Sequence, residues 1–243
     1  MDTYFEREYY LRVSDFDYRG KLHASSILDL FQDVAGLHAD LLGCGHDEII
    51  VKKMIWVLVR VKFEVLSDVD MYQKVIVKTW PLAPSRAGFK REYLIEDENG
   101  KVIVKGSSDW VIMHSEKRKL MPAKDIYPTD FEFRTERACE EKIPKIHDFE
   151  PNEETKTITP TFLDIDLNRH VNNTKYANFV VNSVNLAEDE FIKTMQIDYR
   201  HEVRSDAPLQ ICTARNDGEI LAKGINQEEE TMFACKITLD SRK

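Results

Sequence analysis

Between residues 24 and 43 the sequence ASSILDLFQDVAGLHADLLG places Ile27, Phe31, Val34, Ala35, His38, Leu41 and Leu42 at the three- and four-residue spacings of one helical face. Ser26 and Asp29 form an S-x-x-D cap ahead of that face, and Gly43 supplies a stop. The spacing predicts a core helix. A second set, Tyr176, Phe179, Val180, Ser183, Val184 and Ala187, repeats the pattern behind Asn172 and Asn173, either of which suits a helix cap. Each helix is followed by runs of alternating, β-branched and aromatic character: 54–65 (MIWVLVRVKFEV), 74–80, 89–98 and 101–113, then 195–203 (MQIDYRHEV), 208–215, 219–225 and 231–239. Asn99-Gly100 between two of these runs predicts a type I′ hairpin turn. One helix followed by an antiparallel meander that must cover its apolar face is the plan of a hot-dog unit, a curved sheet wrapped around a central helix. The predicted fold class is therefore α+β, with two tandem hot-dog units packed as an internal dimer.

The boundary between the units falls at 135–156 (TERACEEKIPKIHDFEPNEETK), where 11 of 22 residues are charged and two are proline, the composition of a linker or exposed connection. It leaves an N-terminal unit over 1–134 and a C-terminal unit over 157–243. The halves match at two places. Asp15-Phe16-Asp17 followed by the first helix has the plan of Asp164-Ile165-Asp166 followed by the second. The end of the strand 54–65, with Glu64-Val65, resembles the end of 195–203, with Glu202-Val203. A third match, ENGKVIVKG against NDGEILAKG, would leave the second half one strand short and is read as coincidence.

Composition narrows the function. With 34 Lys+Arg against 43 Asp+Glu the net charge is −9, which argues against a nucleic-acid partner, since phosphate binding needs a dense basic field. The longest apolar run, 54–59, is far short of the roughly 20 residues that span a bilayer, so no membrane span is expected. The N-terminus, MDTYFEREYYLRV, has no apolar stretch of signal-peptide length. The four cysteines are far apart and include no C-x-x-C, so they read as reduced thiols in a cytoplasmic protein rather than as a zinc site or a disulfide framework.

The segment FLDIDLNRHVNNTKYANF carries the candidate chemistry. Asp166, Asn168 and His170 alternate with Leu167 and Arg169 just before a helix start, and in extended backbone alternate residues share a side. A carboxylate, an amide and an imidazole would then stand beside the first free N–H groups of a helix, where a developing oxyanion is stabilised. These are the ingredients of acyl hydrolysis. Alternation along 195–203 places Glu202 on the polar face of its strand, turned towards a site between the units.

At these residues the sequence resembles the acyl-acyl carrier protein thioesterase family, through D-x-D-x-N-x-H-V-N-N-x-x-Y over 164–176 and Y-R-x-E over 199–202, with further likeness at SDFDYRG, KTWPLAP and SSDWVIMHSEKRKLMP. The resemblance implies a catalytic network of Asp166, Asn168, His170 and Glu202, and hydrolysis of fatty acyl thioesters carried on acyl carrier protein through phosphopantetheine, with no cofactor and no metal. Some relatives have a cysteine after the glutamate; here Val203 stands there, so a cysteine nucleophile is not expected. Aligning Asp17 with Asp166 puts Arg19 at the Asn168 position and Lys21 at the His170 position, so one active site per chain is expected, with Glu64 as a structural counterpart of Glu202. The first unit would instead house the acyl chain, with Ile27, Leu28, Phe31 and Trp56 as candidate walls, although core packing explains these residues equally well. An acidic carrier would need local basic patches, for which Lys117-Arg118-Lys119 or Arg86, Lys90 and Arg91 are candidates, with a solvated charged loop as the alternative. Coenzyme A thioesters as substrate, or acyl binding without turnover, are the competing readings. Chain length, saturation preference, direct water attack against a transient Asp166 anhydride, and pairing into a homodimer are left open.

Overall fold

A computed structural model of the protein describes residues 3–86, 88–123, 126–139 and 143–241. In chain order the elements are β1 (Phe5–Tyr10), α1 (Ala24–Leu41), α2 (His46–Ile50), β2 (Met54–Val65), β3 (Lys74–Pro81), β4 (Phe89–Asp97), β5 (Val102–His114), β6 (Leu120–Met121), β7 (Lys156–Ile158), α3 (Lys175–Ser183), β8 (Glu190–Tyr199), β9 (Leu209–Asn216), β10 (Glu219–Ile225) and β11 (Thr231–Ser241). The strands join into one antiparallel sheet ordered β1-β3-β4-β5-β2-β8-β11-β10-β9-β7, with β6 added on β5. Each half contributes the same five-strand order. The halves meet at β2 and β8, where Arg60 lies opposite Asp198 and Glu64 opposite Thr194, so the pair is symmetric about Lys62 and Gln196.

The apolar stripe of α1 lies against the sheet, and the residues it buries join those of α3 and both half-sheets in one continuous core. Phe31 stacks on Tyr93 at 4.3 Å between ring centroids, directly above Gly106 of β5. In the second half Tyr176 meets Tyr199 and Phe233 edge-on. Helix α1 begins two residues before the expected cap. His23 occupies the N-cap and Ser25 and Ser26 are buried in the first turn, because the His23 N–H bonds Asp15 O and the Phe16–Leu22 bridge closes the preceding loop early. Gly43, at φ +68°, ends the helix as expected. Helix α3 stops at Ser183, whose hydroxyl donates to Phe179 O, and Val184 is already extended, so Ala187 is not helical.

Several elements differ from the sequence reading. β1, β6 and β7 were not anticipated: they are edge or two- to three-residue strands that carry little apolar signal. β2 pairs with β5 rather than with β3, so only β3-β4-β5 and β9-β10-β11 are meanders. The hairpin at Asn99-Gly100 is not type I′: Gly100 takes the left-handed conformation while Asp97 Oδ1 accepts the N–H groups of Asn99 and Lys101, the mark of a three-residue loop with a bulge glycine. The NDG turn joins β9 to β10, whereas ENG joins β4 to β5, the counterparts of β10 and β11, so that sequence match is coincidental.

Most described residues of the charged segment after residue 134 are exposed, as expected of a connection, but it is pinned to the sheet at several points. Ile143 and Ile146 are buried and their backbone crosses the β2–β8 seam, where Arg60 donates to Ile143 O, Gln196 to Pro144 O, and Ile146 N–H to Asp198. Earlier in the segment, the N–H groups of Ala138 and Cys139 bond Glu92, a carboxylate whose burial raises its pKa. The segment's last residue, Lys156, opens β7.

Candidate functional site

The loop before α3 is a turn, not extended backbone. Thr161 accepts and donates around Asp164 in a capping box, Ile165 bridges Val171, and the Asp166 N–H bonds His170 O at 2.9 Å. Inside that closure Asp166 Oδ1 accepts the Asn168 N–H at 2.8 Å, and Arg169 is left-handed at φ 63°. The chain reversal brings Asp166 and His170 together, and Asn168 sits exposed at its tip. The strand alternation expected for these three residues is therefore replaced by an Asx turn. The expected oxyanion donors are also partly engaged: Asn172 accepts the Thr174 N–H on its side chain and the Lys175 N–H on its carbonyl.

Glu202 reaches this loop from beyond its strand. β8 ends at Tyr199 because Arg200 N–H and His201 N–H both turn onto Met232 O. Val203 then clamps the backbone: its carbonyl accepts the Val171 N–H at 2.7 Å. Burial raises the pKa of Tyr176 and of Tyr199, so both phenols stay protonated, and Tyr199 donates to Asn173 O at 2.8 Å. Held so, Glu202 Oε2 lies 3.3 Å from His170 Nε2. The same oxygen lies 2.5 Å from Arg118 Nη2, contributed by the turn after β5. Arg118 was singled out in the sequence only as part of a basic run; nothing in its spacing points to Glu202. Among the described residues no three His, Cys, Asp or Glu side chains gather as a metal site needs.

A narrow cleft, partly open to solvent, runs between the halves. Leu28, Phe31, Val61, Tyr93 and Trp110 line it on one side and Asn173, Thr174 and Tyr199 on the other, so it ends a few residues from His170. Of the four expected wall residues, Leu28 and Phe31 face it. Ile27 shares their buried core without lining the cleft, and Trp56 packs on Phe89 and donates to Cys44 O in a separate cluster. Of the proposed basic patches, Arg91 is buried against His38 and Thr79 and is no surface cation.

The first half contains the same loop. Asp17 N–H bonds Lys21 O, Asp17 Oδ1 accepts the Arg19 N–H, and left-handed Gly20 stands where Arg169 does. The acidic partner, however, is not Glu64, which pairs with Lys105 on the sheet. Leu66 N–H and Ser67 N–H both bond Ile103 O as Arg200 and His201 bond Met232 O, and left-handed Tyr72 corresponds to left-handed Asp206. That register makes Asp68 the counterpart of Glu202, and Asp68 meets Lys21 Nζ at 2.7 Å. The first half has two acid-valine steps, Glu64-Val65 and Asp68-Val69, and only the hydrogen bonds to β5 choose between them. Arg19 fills the rest of this place, donating to Ala187 O and Glu190 O, with Phe191 beneath both cations.

Two family models cover this arrangement: residues 2–129 match the acyl-ACP thioesterase N-terminal domain and residues 148–243 the acyl-ACP thioesterase C-terminal domain. The chain belongs to the acyl-ACP thioesterase family. It is 28% identical over 225 residues to a chloroplastic palmitoyl-acyl carrier protein thioesterase of Arabidopsis thaliana, covering 86% of this chain and 55% of that protein. To the chloroplastic oleoyl-acyl carrier protein thioesterase 2 of the same plant it is 27% identical, over 82% of this chain and 59% of the relative. The chain thus spans about half the length of the curated relatives it matches. In fold, this family member superimposes on an acyl-ACP thioesterase from Bacteroides thetaiotaomicron with a TM-score of 0.89 at 22% identity, covering 98% of each chain. It superimposes on the 12:0-ACP thioesterase from Umbellularia californica at 0.87 and 20%, covering 100% and 99%. The architecture is the double hot-dog. No helix among the described residues is long and apolar enough to cross a membrane.

Proposed function

We propose that the chain hydrolyses fatty acyl thioesters of acyl carrier protein, releasing free fatty acid and the carrier's phosphopantetheine thiol. The observation that carries this reading is His170 Nε2 at 3.3 Å from Glu202, beside an apolar cleft, in a member of this family. With Nε2–H donated to the carboxylate, the other ring nitrogen is the acceptor that takes a proton from water. The water oxygen bonds the carbonyl carbon; the tetrahedral intermediate collapses, the C–S bond breaks, and the imidazolium returns its proton to sulfur. General-base help of this kind contributes about 10²–10⁴-fold. Asp166 and Asn168 orient the turn and the reacting groups around His170. The acyl chain is assigned to the cleft that Leu28 and Phe31 face. A single site per chain is supported by Lys21 and Arg19, which fill the first unit's counterpart with cations already bonded to Asp68 and to carbonyls.

Carrier docking is assigned to Lys117 and Lys119, both exposed beside Arg118. The four free thiols suit a reducing compartment, and we read the chain as cytoplasmic. The test is thiol release from carrier-bound acyl chains of graded length, with acyl-coenzyme A run alongside. Turnover with the carrier-bound series supports the reading; stoichiometric binding without thiol release would make the protein an acyl sensor, and preference for coenzyme A would reassign the carrier.

A further inference from the structure

Resting on that reading of the site, we propose that Arg118 is a positioning residue supplied by the N-terminal unit, which fixes Glu202 and carries the positive charge of the Arg118–Glu202–His170 triplet. Glu202 Oε2 is shared, at 2.5 Å from Arg118 Nη2 and 3.3 Å from His170 Nε2. The backbone is tied on either side of Glu202, at the His201 N–H and the Val203 carbonyl, but its side chain is directed by these two partners.

The turn that presents Arg118 is built to do so. The Arg118 N–H bonds His114 O at 2.9 Å, the His114 N–H bonds Lys119 O, and His114 Nδ1 accepts the N–H groups of Glu116 and Lys117. Ser115 N–H bonds Lys53 O, and Lys53 Nζ closes on Glu116 at 3.0 Å, so the turn is anchored to the end of the helix–strand connection before β2. Arg118 itself is left-handed at φ 51°, a strained conformation for a non-glycine residue. Its side chain is 46% exposed, so the ion pair is not there to fill a core, and an exposed pair of this kind adds little to stability.

The pseudo-equivalent place in the first unit shows why a third partner is needed. There Lys21 replaces the imidazole and pairs with Asp68 at 2.7 Å. Where histidine stands instead, Arg118 reaches the same carboxylate oxygen from across the seam, so Glu202 is held between a guanidinium and the imidazole it orients. The site of the second unit is therefore completed by the first, which couples the acyl-binding half to the hydrolytic half.

The experiment compares Arg118→Ala and Arg118→Lys with wild type on a carrier-bound acyl chain and on a small carrier-free acyl thioester. Arg118→Ala is expected to lower kcat on the order of 10- to 10²-fold on both substrates with KM little changed, Arg118→Lys to recover part of the loss, and added guanidinium ion to rescue Arg118→Ala but not His170→Ala. In a Glu202→Ala background the Arg118→Ala change should cost nothing further. Unchanged kcat, a loss confined to KM for the carrier-bound substrate, or an additive loss in the double variant would each overturn the proposal. Ring-nitrogen NMR of His170 reads the same positioning without turnover: Arg118→Ala should alter its tautomer signature. A wild-type protein that releases no thiol but shows this change would refute the hydrolase and leave the positioning role standing; no change would refute the role itself.

Discussion

Replacing Gly106 with alanine tests how the first unit positions its cleft, because two effects of opposite sign meet there. In a strand interior, alanine is ordinarily preferred over glycine by roughly 0.5–1 kcal/mol, since glycine loses more conformational freedom on folding. At Gly106 an added Cβ would stand 2.2 Å from Phe31 Cε2, 2.7 Å from Cζ and 3.0 Å from Lys62 O. The ring cannot swing aside cheaply: it is buried and stacked on Tyr93 at 4.3 Å with the planes 12° apart. Overpacking of this kind costs about 1–3 kcal/mol, which outweighs the backbone gain and reverses the sign. For a protein of this size each kcal/mol moves Tm by about 2–4 °C, so Gly106→Ala should melt a few degrees below wild type, with a matching fall in the urea midpoint at unchanged m. Phe31→Leu removes the edge that clashes. The double variant Gly106→Ala/Phe31→Leu should therefore be more stable than the two single costs together allow, with a coupling of about 1 kcal/mol or more in the double-mutant cycle. Wild-type or raised stability in Gly106→Ala, or strict additivity in the cycle, would refute the packing of Phe31 against β5.

His170→Ala and Glu202→Ala should each lower kcat by on the order of 10²-fold or more with native circular dichroism, since both side chains reach solvent beside the cleft; near-normal turnover would remove that residue from the mechanism. Glu64→Ala should leave kcat unchanged and cost at most about 1 kcal/mol, because Glu64 pairs with Lys105 at the surface of the sheet; a catalytic defect as large as that of Glu202→Ala would restore Glu64 as its counterpart. Burial opposes ionisation of Asp15 and Asp17, but hydrogen bonds from Arg12 to the first, and from Lys21 and Arg19 to the second, outweigh it and hold both below the usual carboxylate range. Their contribution is present above the unfolded value near 3.8 and is lost as pH falls through the lowered folded values, so acid denaturation of Asp15→Asn and Asp17→Asn should show a smaller stability loss below pH 4 than wild type; identical acid limbs would contradict this.

Much of this protein is local and therefore legible in the chain. The stripe from Ile27 to Leu42, the glycine stop at Gly43 and the run Met54–Val65 fix a helix and a strand by periodicity alone, since burial of one face needs no knowledge of what covers it. The repeat of the D-x-D segment is legible too, down to Arg19 and Lys21 in place of Asn168 and His170, although its local bonds fold it into a turn rather than the extended backbone its alternation predicts. What else failed depended on distant partners. The short strands β1 and β7 exist because β3 and β9 offer them an edge, and the charged segment crosses the seam because Asp198, Gln196 and Arg60 need bonding partners there. Asp68 and Glu202 became equivalent only through their neighbours' bonds to Ile103 and Met232, which no alignment of acid-valine steps contains. Arg118 lies 84 residues from Glu202 in the chain, and their ion pair exists only because the two half-sheets share the β2–β8 seam: sequence sets the chemistry each half carries, whereas which cation meets which carboxylate is decided by how the halves dock.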